Sequence, residues 1–89
     1  MKAKKETDDE FIARVMGAEI KKRRINLSIS QTELGEQLNI SFQQVQKYER
    51  GTNRLPVIYL VKLSSLFRCS VEDMLPGVLE RVSHIRFKV

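Results

Sequence analysis

Eighty-nine residues, 42% of them hydrophobic and 30% charged, describe one globular domain with no room for a catalytic domain beside it. A chain of this size buries only about 60–65% of the surface its unfolded form exposes, so its stability is modest. Sixteen Lys and Arg against eleven Asp and Glu leave a net charge of +5, which favours polyanionic partners yet is common among soluble proteins, and the lone Cys69 excludes an internal disulfide or a thiolate metal site.

Residues 1–7 read as a flexible arm, since Met1 to Glu6 alternate lysines with small or acidic residues and lack apolar periodicity. A basic arm following a nucleic-acid backbone is the functional alternative. Met1 to Lys5 lead into acids rather than into a signal-peptide core, and no apolar run approaches the ~20 residues of a membrane span. No membrane association is expected, and the chain is read as cytoplasmic. Thr7 and Glu10 form a capping box, so a first helix is expected from about Asp8. It carries Ile12, Met16 and Ile20 at steps of four and ends near Ile25 or Asn26. The run Lys21, Lys22, Arg23 and Arg24 admits a nucleic-acid patch, but basic residues in a last turn also complement the helix dipole.

Ser30 to Arg50 is the most informative stretch. Ser30 with Glu33 is a second capping box, and Ser41 with Gln44 has the spacing of a third. The eleven-position spacing of these caps leaves space for a helix of about two turns, stopped at Asn39, which tolerates left-handed backbone. Leu34, Leu38, Ile40, Val45 and Tyr48 form one apolar set that can pack the two helices together, so the spacing predicts a helix-turn-helix. On the second helix Phe42, Gln43, Gln46, Lys47 and Arg50 share a sector about 140° wide, pointing away from the packed face. Glutamine can pair bidentately with adenine, lysine can donate to guanine, and an apolar side chain can cover a thymine methyl. Ser41, Phe42, Gln43, Gln46 and Lys47 are therefore the candidates for base contact.

Gly51 stops this helix, and T-N-R-L-P runs on without periodicity until Pro56 opens a fourth. That helix, about Val57 to Phe67, places Leu60, Leu63, Ser64 and Phe67 on one stripe, and Ser70 with Asp73 caps a last short helix bearing Val71, Met74 and Leu75. Pro76 and Gly77 close the domain, giving a unit of residues 8–77. In the tail, residues 78–89, Val78, Val82, Ile85 and Val89 fit a helix, while Ile85, Phe87 and Val89 also fit a strand. The leftover apolar surface either folds back or pairs with a second subunit. The dimerisation element is the favoured reading, cyclic dimers being the commonest oligomers. His84 is read as an exposed tail residue.

From Met16 to Gly77 the chain resembles the Cro/CI-type helix-turn-helix regulators of the xenobiotic-response-element family, through Gly17, Ile20, Arg24, S-Q-T-E-L-G at 30 to 35, N-I-S at 39 to 41, Y-E-R-G at 48 to 51, Leu60, Leu63, Ser64 and S-V-E-D-M-L. It departs from that pattern at Gly35, where alanine is common, and at Asn39, where glycine is common. The resemblance implies an all-α, compact five-helix lambda-repressor-like fold. It also implies a structural ion pair between Arg24 and Glu49. Gln31, at the start of the second helix, becomes a phosphate contact together with Arg50, Thr52, Asn53 and Arg54 around the following loop.

The leading reading is a sequence-specific regulator of transcription, a repressor, binding double-stranded DNA as a homodimer across a pseudo-palindromic operator. One alternative is an antitoxin that also binds a toxin through residues 78–89. Another is an adaptor that presents Phe42 and Tyr48 to a protein, against which the polar, cationic character of Gln43, Gln46, Lys47 and Arg50 speaks. No converging carboxylates accompany the single His and Cys, so no enzyme, no cofactor and no metal is expected.

Overall fold

Local hydrogen bonds of the kinds anticipated from the sequence start and stop the helices. The computed structural model describes residues 5–85, and all regular structure among them is helical: α1 (Asp8–Asn26), α2 (Gln31–Leu38), α3 (Phe42–Arg50), α4 (Val57–Leu66), a 3-10 turn (Glu72–Met74) and α5 (Val78–Arg81). Residues 1–4 of the expected arm, and Phe87 and Val89 of the tail, lie outside the described residues. Thr7 and Glu10 close the reciprocal box at α1, and Ser30 and Glu33 close the one at α2. Asn39 caps α2 with left-handed backbone, φ 56° and ψ 46°.

Two local expectations change. At α3 only half of the box forms: the Gln44 N–H donates to the Ser41 hydroxyl at 3.2 Å, without a reciprocal bond from the Gln44 side chain. The segment after Ser70 keeps both cap bonds with Asp73, yet yields one 3-10 turn instead of a helix, because Leu75 precedes Pro76 and is driven to φ −128°. Of the apolar residues expected on this helix, Met74 is buried and Val71 is exposed. The fifth helix lies further on, after Gly77, and is only Val78–Arg81. This first part of the segment expected as a tail folds back: Val78 is buried, and the Arg81 guanidinium donates to Asp8 at 2.9 Å and to the Glu6 carbonyl at 2.7 Å.

Ile20, Leu34, Leu38, Val45, Leu63 and Met74 form the buried core, one or two residues from each of α1 to α4 and from the 3-10 turn. Each such side chain contributes about 1.5–3 kcal/mol by leaving water. Backbone proximity does the rest. A Cβ on Gly17 of α1 would meet the carbonyl oxygen of Tyr48 and, at 2.6 Å, that of Glu49, so α3 lies directly on the α1 backbone. Gly35 has a similar use, since a Cβ there would stand 2.6 Å from the Ile40 carbonyl oxygen. The helix propensity that Gly35 forfeits is therefore matched by a close turn.

Gly17→Ala should destabilise the domain by about 1–3 kcal/mol through overpacking, even though alanine is favoured by about 1 kcal/mol in a helix interior. Urea unfolding measures the balance. A variant as stable as wild type would show that α3 does not rest on this backbone.

Candidate nucleic-acid interface

The inner face of α3 is fixed by Val45 and Tyr48, both buried, with the Tyr48 ring 6.2 Å from that of Tyr59 on α4. Glu49, the third inward residue, is a charge, and its carboxylate is only 3% exposed. Arg24 of α1 satisfies it with two parallel bonds, Nε to Oε2 at 2.7 Å and Nη2 to Oε1 at 3.1 Å. The remaining arm of the fork, Nη1, donates to the Ile29 carbonyl at 3.0 Å. Hydrogen bonding to Glu49 raises the Arg24 pKa, against a smaller opposing effect of desolvation, so the guanidinium stays charged.

Gln31 joins the same network, its Nε2 donating to Glu49 Oε1 at 3.1 Å. The resemblance implies a phosphate contact for this residue, which needs an outward-facing amide or N–H. The side chain is instead half-buried and turned inward, because the Glu49 carboxylate has acceptor capacity left after Arg24. The backbone N–H of Gln31, in the first turn of α2, has no intrahelical acceptor and is the part of this residue suited to an anion.

The opposite face of α3 is presented. Phe42, Gln43, Lys47 and Arg50 are exposed and Gln46 is half-buried, and Ser41, the N-cap, is exposed at the start of the helix. Among the described residues neither Lys47 nor Arg50 is ion-paired. Beyond the Gly51 cap, the Thr52 hydroxyl and N–H both donate to the Lys47 carbonyl, at 3.1 and 3.0 Å, so both its donors close the helix end. Asn53 is exposed. Arg54 is exposed as well but paired, its Nη2 donating to Asp9 of α1 at 2.9 Å. Nothing in the sequence signals that contact across 45 positions, or the Gln31–Glu49 bond.

The basic run at the end of α1 divides. Arg23 donates to the buried Glu19 at 3.0 Å and Lys22 stands 3.5 Å from the same carboxylate, while Arg24 serves the α3 network. These three cations have structural partners. Among the described residues no helix is long and apolar enough to cross a membrane, and no three His, Cys, Asp or Glu are grouped to hold a metal ion.

A short capped helix pinned against a preceding one, with a polar outer face, is a helix-turn-helix. The chain belongs to the Cro/CI-type helix-turn-helix family, whose model matches residues 20–74. It is 46% identical over 56 residues to an uncharacterized HTH-type transcriptional regulator of Sinorhizobium medicae (strain WSM419), covering 63% of this chain and 40% of that one. It is 33% identical over 57 residues to a transcriptional regulator in the ATPase CF(0) region of Rhodospirillum rubrum, covering 64% and 53%. The chain thus spans about half or less of the length of these curated relatives. Among solved structures it is similar to the restriction-modification controller protein C.AhdI from Aeromonas hydrophila, with a TM-score of 0.69 and 17% identity over 78% of this chain and 100% of that one. The clp gene regulator ClgR from C. glutamicum superposes with a TM-score of 0.67 and 21% identity, covering 80% and 92%. Both likenesses concern the fold.

Arg24→Ala should cost about 3–5 kcal/mol of stability, because it strands a buried carboxylate and frees the Ile29 carbonyl. Arg24→Lys should recover part of that loss, restoring the charge without the two-pronged geometry. Thermal melts of both variants decide: if Arg24→Ala melts like wild type while DNA binding is lost, the arginine belongs to the interface.

Proposed function

We propose that this chain is a sequence-specific double-stranded DNA-binding regulator of transcription, acting in the cytoplasm as a repressor by occupying a promoter. The observation that carries the reading is the division of α3 into a fixed inner face and an outer face of Ser41, Phe42, Gln43, Gln46, Lys47 and Arg50. Gln43 and Lys47, four residues apart, suit adenine and guanine edges in the major groove, and Phe42 suits a thymine methyl. Arg50, Asn53, Arg54 and the Gln31 N–H suit the flanking phosphates, which set the register of the helix in the groove. The family match and the relatives named as transcriptional regulators support the same reading.

Two such helices reach successive major grooves when a dimer spaces them about 34–36 Å apart on a pseudo-palindromic site. Leu79 and Ile85, 59% and 68% exposed, supply apolar surface for that pairing. Leu79→Asp with Ile85→Asp should shift the protein toward monomer in sedimentation without unfolding it. A wild-type protein that is already monomeric at high concentration, or a double variant that stays dimeric, overturns this part.

Base readout and phosphate anchoring separate by experiment. Gln43→Ala or Lys47→Ala should cost about 1–3 kcal/mol on a duplex selected from a random pool and relax discrimination at particular base pairs. Arg54→Ala should weaken selected and scrambled duplexes alike and reduce the salt slope by about 1. If neither Gln43→Ala nor Lys47→Ala changes the ratio of selected to scrambled affinity, α3 is not the reading helix.

A further inference from the structure

Arg54, placed among the phosphate anchors, is already occupied. Its guanidinium donates to the Asp9 carboxylate at 2.9 Å, although the two side chains are 89% and 69% exposed. Asp9 lies in the first turn of α1, where Asp8 and Glu10 flank it and the positive end of the helix dipole stabilises a carboxylate with or without an ion pair. Releasing Arg54 therefore leaves Asp9 in a favourable place. Both side chains border one recess whose other lining residues are Ile12, Ala13, Met16 and Leu55. An anion from outside can compete with the aspartate for this exposed guanidinium.

We infer that Asp9 is an electrostatic competitor for the DNA backbone, holding Arg54 in the absence of DNA and surrendering it to a phosphate on binding. The inference rests on the DNA-binding reading proposed for this surface. An exposed ion pair is weak and screened by salt, whereas a phosphate contact also releases condensed counterions, so the exchange runs toward DNA at low salt. Asp9 limits affinity without touching bases, because the carboxylate must be displaced whatever the sequence. Its removal accordingly tightens selected and scrambled duplexes together and leaves discrimination between them intact.

The test is a double-mutant cycle of Asp9→Asn and Arg54→Ala, titrated against a duplex selected from a random pool and its scrambled counterpart across a salt series. Asp9→Asn should bind both duplexes about two- to five-fold more tightly, the range an exposed ion pair spans, and should melt within a degree or two of wild type. In the Arg54→Ala background the same substitution should have little effect. An equal gain in both backgrounds would show that Asp9 acts only as a negative charge near DNA, and no gain in either would show that the pair does not compete; each result overturns the inference. A wild-type chain that binds neither duplex rejects the DNA-binding reading itself, and the inference with it.

Discussion

The buried pair of Arg24 and Glu49 is the interaction on which the placement of α3 depends. Two oppositely charged side chains, 12% and 3% exposed, stand between α1 and α3, and the carboxylate takes a third bond from Gln31 on α2. Desolvating such a pair offsets much of its attraction, so its net contribution to stability is small even though breaking it is costly. What the pair supplies is geometry. The fork accepts one carboxylate orientation, and its spare arm on the Ile29 carbonyl fixes the loop that leads into α2. The fork adds a directional constraint to the packing of Val45 and Tyr48.

Around that lock α1 acts as the frame of the domain. Its middle, at Gly17, lets the α3 backbone approach to carbonyl contact, and its last turn carries Arg24. The first turn holds the segment around α5, with Asp8 facing Arg81 at 2.9 Å and His84 at 3.2 Å while the Phe11 ring lies beneath the guanidiniums of Arg14 and Arg81 at 5.3 and 5.1 Å. Four helices and a 3-10 turn thus close over a central cluster that among the described residues holds six buried side chains. Close backbone approach and specific polar bonds add to that packing in holding a single arrangement.

The charge distribution follows the same division of labour. Arg23, Lys22 and Arg24 are committed to Glu19 and Glu49, whereas Lys47 and Arg50 stand on the outer face of α3. A positive balance of +5 therefore says less about partners than the position of these two side chains. A cation paired with a nearby carboxylate contributes less to the field outside the domain than an unpaired one.

Much of the fold was legible in the chain because its signals are local. A capping box joins residues three apart, and an apolar stripe repeats every three or four, so the bounds of α1, α2 and α3 and the left-handed stop at Asn39 follow from neighbours alone. The side chains of the outer α3 face were legible for the same reason, since helix geometry places Gln43 and Lys47 together once the helix exists. Local signals failed where a neighbour competed: Pro76 cut the segment after Ser70 to one turn, and the chain began its fifth helix only beyond Gly77. Tertiary structure alone decided that Gln31 turns to Glu49 and Arg54 to Asp9. Residues 18 and 45 positions apart leave no periodic trace, and their partners are chosen by which charged or polar atoms the packing of α1, α2 and α3 brings within hydrogen-bond distance.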